Sequence, residues 1–228
     1  MLIPDRAGVM ILGEASLFPQ GMLPLFIFEP RYRTMLAESL ESHRMFCLAM
    51  QRPDLKRDAP CRVATLGLVR ACVRNDNGTS NLVLQGLIRV EIGKIVQTRP
   101  YRKHLITPLV EPSEPASDKE VKELVRKTLD LVDARLRQDQ PVPLELIRQL
   151  ATGSTESGEA QVEDCVRALK RIREIGRFAD LVATLLLPNP LARQVILQTL
   201  DTGDRLRHLV AFLTVEVSRG EKKDEEDP

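Results

Sequence analysis

With 228 residues, 43% of them hydrophobic and 29% charged, the chain is long enough to bury one large core or two small ones. Its longest apolar runs, residues 22–28 and 181–187, fall far short of the ~20 residues that cross a bilayer. The N-terminus carries Asp5 and Arg6 and lacks the apolar stretch of a secretory leader, so a cytoplasmic protein without a membrane partner is expected. A net charge of +1 argues against a protein that gains its affinity by neutralising many phosphates, and the four cysteines and three histidines show neither a zinc spacing nor a disulfide framework.

The first half reads as strands. Residues 8–12 form the first candidate, followed by the apolar run 22–28, which is too hydrophobic to alternate cleanly. Pro30 suits the first turn of a helix, where its missing N–H costs nothing, and Tyr32, Met35, Leu36 and Leu40 share one face at helical spacing. Residues 45–50 and 63–74 are the next strands. Asn77-Gly78 separates the latter from residues 81–87, which predicts a hairpin on a type I′ turn, because both residues tolerate the positive φ it demands. Residues 89–98 and 101–110 complete the set. A single helix cannot cover five or six short strands, so they are expected to curl into a barrel, which removes most free edges.

After the stiff segment 111–115 the hydrophobic period changes from two to 3.6. Ser117 and Glu120 have the spacing of a capping box, and Val121, Leu124, Val125, Leu129, Val132 and Leu136 then line one face of a helix to about residue 137. Pro141 and Pro143 end it and open a short helix to residue 150, and residues 152–160 are a loop by composition. Helical signal resumes over 162–187, with a break expected at Gly176. Asn189 and Pro190 then cap and start another helix, and a last one carries Leu206, Leu209, Val210, Leu213 and Val217 on its buried stripe. The fold class is therefore α+β, with a β-rich barrel subdomain at 1–113, a helical subdomain at 114–220 and a charged, disordered tail at 221–228.

Three motifs in register carry a family resemblance. The run Leu17-Phe18-Pro19-Gln20-Gly21-Met22-Leu23-Pro24-Leu25-Phe26-Ile27-Phe28-Glu29-Pro30-Arg31-Tyr32-Arg33 is the first. Gly86-Leu87-Ile88-Arg89-Val90-Glu91-Ile92, with Pro100-Tyr101 beyond it, is the second, and Phe178-Ala179-Asp180-Leu181-Val182-Ala183, then Arg193-Gln194, Leu200-Asp201 and Asp204-Arg205-Leu206, is the third. Together they resemble the N-terminal domain of Lon proteases. The resemblance implies a PUA-like pseudo-barrel followed by a helical bundle, and a module that holds unfolded substrates. It implies a family-motif structural role for Phe18, Pro19, Gly21, Pro24, Glu29, Pro30, Tyr32, Gly86, Arg89 and Tyr101. The chain carries no Gly-x-x-x-x-Gly-Lys-Ser/Thr for a nucleotide, and Lon's Ser-Lys dyad belongs to a later domain, so no enzyme, no cofactor and no metal are expected.

The remaining chemistry is sparse. Arg31 and Arg33 lie two apart on a helix and point to different faces, which does not make an anion clamp. Arg99, Arg102 and Lys103 surround one aromatic, Tyr101, but 4% aromatic content offers little stacking surface for nucleic acid. His43, His104 and His208 have no nucleophile beside them in sequence. The apolar run is the stronger signal: Met22, Leu23, Phe26 and Phe28 are the candidate contacts for an apolar peptide, since methionine and phenylalanine repack around varied partners. The leading expectation is a non-catalytic Lon-type substrate-binding module for unfolded or hydrophobic polypeptide, acting as an adaptor with a separate protease or chaperone. The alternative is a PUA-like barrel that binds RNA or a small ligand.

Overall fold

The structure, a computed structural model, describes residues 2–55, 58–112, 118–138 and 162–226. By internal contact the chain divides into two compact units, Met1–Val110 and Glu111–Pro228.

The first unit holds β1 (Arg6–Leu12), β2 (Met22–Ile27), α1 (Pro30–Glu41), β3 (Met45–Met50), β4 (Val63–Arg74), β5 (Ser80–Gln97) and β6 (Lys103–Pro108). The sheet order is β2-β5-β4-β3-β1-β6, and a further pairing of β5 with β6 closes five of the strands into a ring. β5 is long enough to serve two partners on one side. Its first part pairs with β2 over Ser80 to Gln85, and its second with β6 from Val90 to Gln97. Residues 81–87 and 89–98, expected as two strands, are thus one strand. Irregular register between Leu66 and Gly67 and between Val69 and Ala71 bends β4 as closure requires.

Alternate residues of β1 and β3 feed two cores. Met10, Phe46 and Leu48 pack with Tyr32, Met35 and Leu36 of α1. Val9, Ile11, Met45, Cys47 and Ala49 pack with Ala64, Leu66, Val90 and Ile106. Every residue of β3 is consequently buried. Pro30 occupies the first turn of α1, as its fixed φ suits. The β4–β5 hairpin is present, but its turn is not the two-residue form. Gly78 donates to Asn75 and Asn75 donates to Thr79 (both 2.9 Å), with positive φ at Gly78 alone, so a longer loop ends in one left-handed glycine.

The second unit is helical: α2 (Asp118–Leu136), α3 (Val162–Lys170), α4 (Ile175–Leu186), α5 (Pro190–Gln198) and α6 (Thr202–Glu226). α2 and α6 pack along each other, and the five residues expected on the buried stripe of α6 are all buried. The break in 162–187 falls between Lys170 and Ile175, while Gly176 sits in the first turn of α4. Asn189 caps α5 by accepting from the N–H of Leu191 (2.8 Å), ahead of Pro190. The backbone of α6 continues to Glu226, through the block whose composition suggests a tail. Ser117 of the capping box, the short helix before residue 150 and the loop at 152–160 lie outside the described residues.

Candidate functional site

The site expected from sequence is β2, and its geometry starts one turn earlier. Gln20 donates to the carbonyl of Gly86 (2.8 Å), and Gly86 donates to the carbonyl of Gly21 (2.9 Å), so two residues of one strand face one of the other. Gln20 takes the left-handed conformation such a bulge requires (φ 64°). A side chain at Gly86 would place its Cβ 2.1 Å from the backbone oxygen of Phe18, which explains the glycine. Phe18 itself is buried, and the hydroxyl of Thr65 donates to the neighbouring Leu17 carbonyl.

This bulge sets the phase of β2. Hydrogen-bonded pairs in an antiparallel ladder recur every second residue. Counting from Gly21 and Gly86, they fall on Leu23 with Leu84, Leu25 with Leu82, and Ile27 with Ser80. Pro24 then lies between bonded positions, where it has no N–H to lose, on the terminal strand of the sheet. The run therefore alternates after all. Leu23, Leu25 and Ile27 pack on the core, while Met22 (50% exposed), Pro24 and Phe26 (54%) face outward, and Phe28 (60%) follows. The rings of Phe26 and Phe28 stack at 6.0 Å. Leu23, grouped with them by sequence, is an inward residue, because strand geometry sends its neighbours Met22 and Pro24 to the other face.

The polar residues of the motif hold backbone. The Tyr32 hydroxyl accepts from the Ile11 N–H (3.1 Å) and donates to the Ile11 carbonyl (3.2 Å), tying α1 to β1, and burial pushes its pKa up. Glu29 precedes α1, with its carboxylate on Arg31 (2.8 Å), and Arg31 also pairs with Asp58. Arg33 instead lies over the hairpin turn at Gly78, so the two arginines do part company. Tyr101 is buried and donates to Glu38, and Lys103 lies over its ring (5.4 Å) and near the same carboxylate (3.7 Å), so that member of the basic cluster is engaged internally. Arg89 is 4% exposed on β5.

The third motif converges in a way its spacing conceals. The guanidinium of Arg205, fully buried, reaches Glu111 (2.7 Å), Asp180 (3.4 Å) and the carbonyls of Thr199 (2.9 Å) and Leu200 (3.2 Å). Gly176 lets this cluster close against α4, since a Cβ there would lie 3.1 Å from Glu111 and 3.2 Å from Arg205. An apolar stripe with Asp and Arg interrupting it was the available signal.

No catalytic constellation forms among the described residues. His43 accepts from the Met45 N–H (3.0 Å), His104 contacts the Gly93 carbonyl (2.9 Å) and His208 contacts Thr199 (3.3 Å), each a local tie. All four cysteines are free, and burial raises the pKa of Cys47 and Cys61, which makes poor nucleophiles of them. No cluster of metal-ligating side chains occurs, and no helix is long and apolar enough to cross a membrane, among the described residues.

The fold and motif thus define a two-unit α+β domain whose motif polar groups brace a scaffold and whose outward residues on β2 are apolar. The family model described as the ATP-dependent protease La (LON) substrate-binding domain matches residues 7–215, and the chain belongs to that family. It is 26% identical over 218 residues to a Lon protease of Dictyoglomus thermophilum and 24% identical over 216 residues to one of Desulfosudis oleivorans. These alignments cover 94% and 92% of this chain, which spans about a quarter of the length of those relatives. Among solved structures, the N-terminal domain of Mycobacterium avium complex Lon protease superposes with a TM-score of 0.66 at 16% identity, covering 92% of this chain and 98% of that one. A Lon N-terminal domain protein from Xanthomonas campestris gives 0.58 at 16% identity, with 91% and 98% covered.

Proposed function

We propose that this chain is a non-catalytic substrate-binding module of the Lon type that takes hold of apolar, unfolded polypeptide on the outer face of β2, as an adaptor for a separate protease or chaperone. The observation that carries the reading is the exposed pair Met22 and Phe26 on a terminal strand, with exposed Phe28 just beyond its end. Leu23, Leu25 and Ile27 already supply the core side of that strand, so the outer apolar groups are surplus to what folding requires. Apolar burial is worth about 25 cal/mol per Å², and ordering a flexible segment offsets much of it. Weak and promiscuous binding is the result.

The test is anisotropy of a fluorescently labelled, permanently unfolded protein titrated with the domain. Binding that changes little with salt and weakens in Phe26→Ser supports the reading, and indifference to unfolded chains and apolar peptides alike refutes it. Because Phe26 is half-exposed, the variant should keep its fold, which circular dichroism checks.

A further inference from the structure

A second surface of the first unit has a different character. α1 and the β4–β5 hairpin enclose an open groove of about 670 Å³, within the ~300–1,000 Å³ typical of ligand sites. Leu36, Leu40 and Cys72 form its apolar floor, and Arg33 from α1 and Arg74 from β4 stand on its rim. Among the described residues, Glu41 is the one carboxylate lining it. Elsewhere in this unit Arg6, Arg31, Arg52 and Arg62 each meet a carboxylate. Among the described residues, Arg33 and Arg74 have no carboxylate within 4.0 Å and no side-chain hydrogen bond. The guanidinium of Arg33 lies over the hairpin turn, with Nη2 2.0 Å from where a Cβ of Gly78 would be. A guanidinium with no carboxylate partner of its own offers a planar fork of donors that matches carboxylate oxygens in pairs.

We propose that this groove binds an acidic, leucine-bearing segment of a partner polypeptide, its carboxylates on Arg33 and Arg74 and its apolar side chains on Leu36 and Leu40. The charge on the rim selects the anion and the floor selects the aliphatic group. Among the described residues no aromatic lines the groove, so they supply no stacking platform of the kind that single-stranded RNA uses. The site is independent of the outer face of β2.

The test is fluorescence anisotropy of a labelled synthetic peptide of repeated Leu-Glu-Glu, titrated with the intact chain. The same peptide with Gln for every Glu, and labelled polyuridylate, serve as comparisons. Binding should fall about tenfold in Arg33→Glu and in Arg74→Glu, the loss expected of one charge-assisted contact. It should weaken with salt, fall likewise for the Gln peptide, and persist in Phe26→Ser, which separates this groove from β2. Arg74→Gln, on an exposed position, repeats the test with the least disturbance to the fold. No binding of the acidic peptide, equal binding of the Gln peptide, indifference to the arginine changes, or a preference for polyuridylate would each overturn the proposal.

Discussion

Arg205→Met removes a group that ties α6 to α4, to Glu111 and to the 199–200 connection. The side chain of Arg205 is 0% exposed and that of Asp180 6%, whereas Glu111 is 41% exposed. Glu111 can turn to water, so its loss is worth no more than a surface pair, up to ~1 kcal/mol. Asp180 cannot, and breaking a buried pair from one side costs ~3–5 kcal/mol. The low end applies, because the Asp180 contact is long at 3.4 Å and Asp180 makes a further interaction. A loss of ~3 kcal/mol is therefore expected, a large share of the ~5–15 kcal/mol that holds a domain together. It would be read from urea unfolding followed at 222 nm, where the helical unit supplies most of the signal. Asp180→Asn in the same chain should restore part of the loss, since the stranded charge is then gone. A loss below ~1 kcal/mol, or a double variant no better than Arg205→Met alone, would show that the cluster is incidental to the fold.

Tyr32→Phe strips both hydrogen bonds from the Ile11 backbone and should destabilise the first unit by ~1–3 kcal/mol in denaturant unfolding, with no change if the ring packing alone matters. Gly86→Ala drives a methyl into the Phe18 carbonyl, and a thermal melt should show a larger drop than for Gly13→Ala, where nothing lies within 4 Å. His43 is held below the ordinary histidine value of 6.5, first by burial and then by Lys103. The unfolded chain therefore takes up its proton first on acidification, so the contribution of neutral His43 is present above 6.5 and lost as pH falls below it. Melting temperature against pH should fall less steeply below that point in His43→Asn than in the parent, and parallel curves would refute the assignment.

The parts of the fold that local chemistry dictates were legible. Pro30, Asn189 and Pro190 mark helix starts because their φ and side-chain oxygens act on adjacent residues. Asn77-Gly78 marked the hairpin, but the turn type depends on how many residues separate the paired strands, which composition does not fix. Asp180 and Arg205 stand 25 positions apart, and their meeting is set by helix packing that no spacing rule encodes.

β2 was the least legible element and the reason is physical. A strand betrays its faces only when they differ in polarity, and here both are apolar, so a period of two was hidden in a continuous run. What resolved it was register, fixed from outside the strand by the Gln20 bulge and the absence of a side chain on Gly86. Once the phase is known, the motif separates by itself. Phe18, Gly21, Tyr32, Gly86 and Tyr101 each have a partner or a close approach that accounts for them within the first unit. Met22 and Phe26 sit on the solvent side of a terminal strand, where polar residues would fold equally well and guard the edge better. The local rule is broken at the outward positions, and that break is what supports the proposed reading of this face as a binding surface.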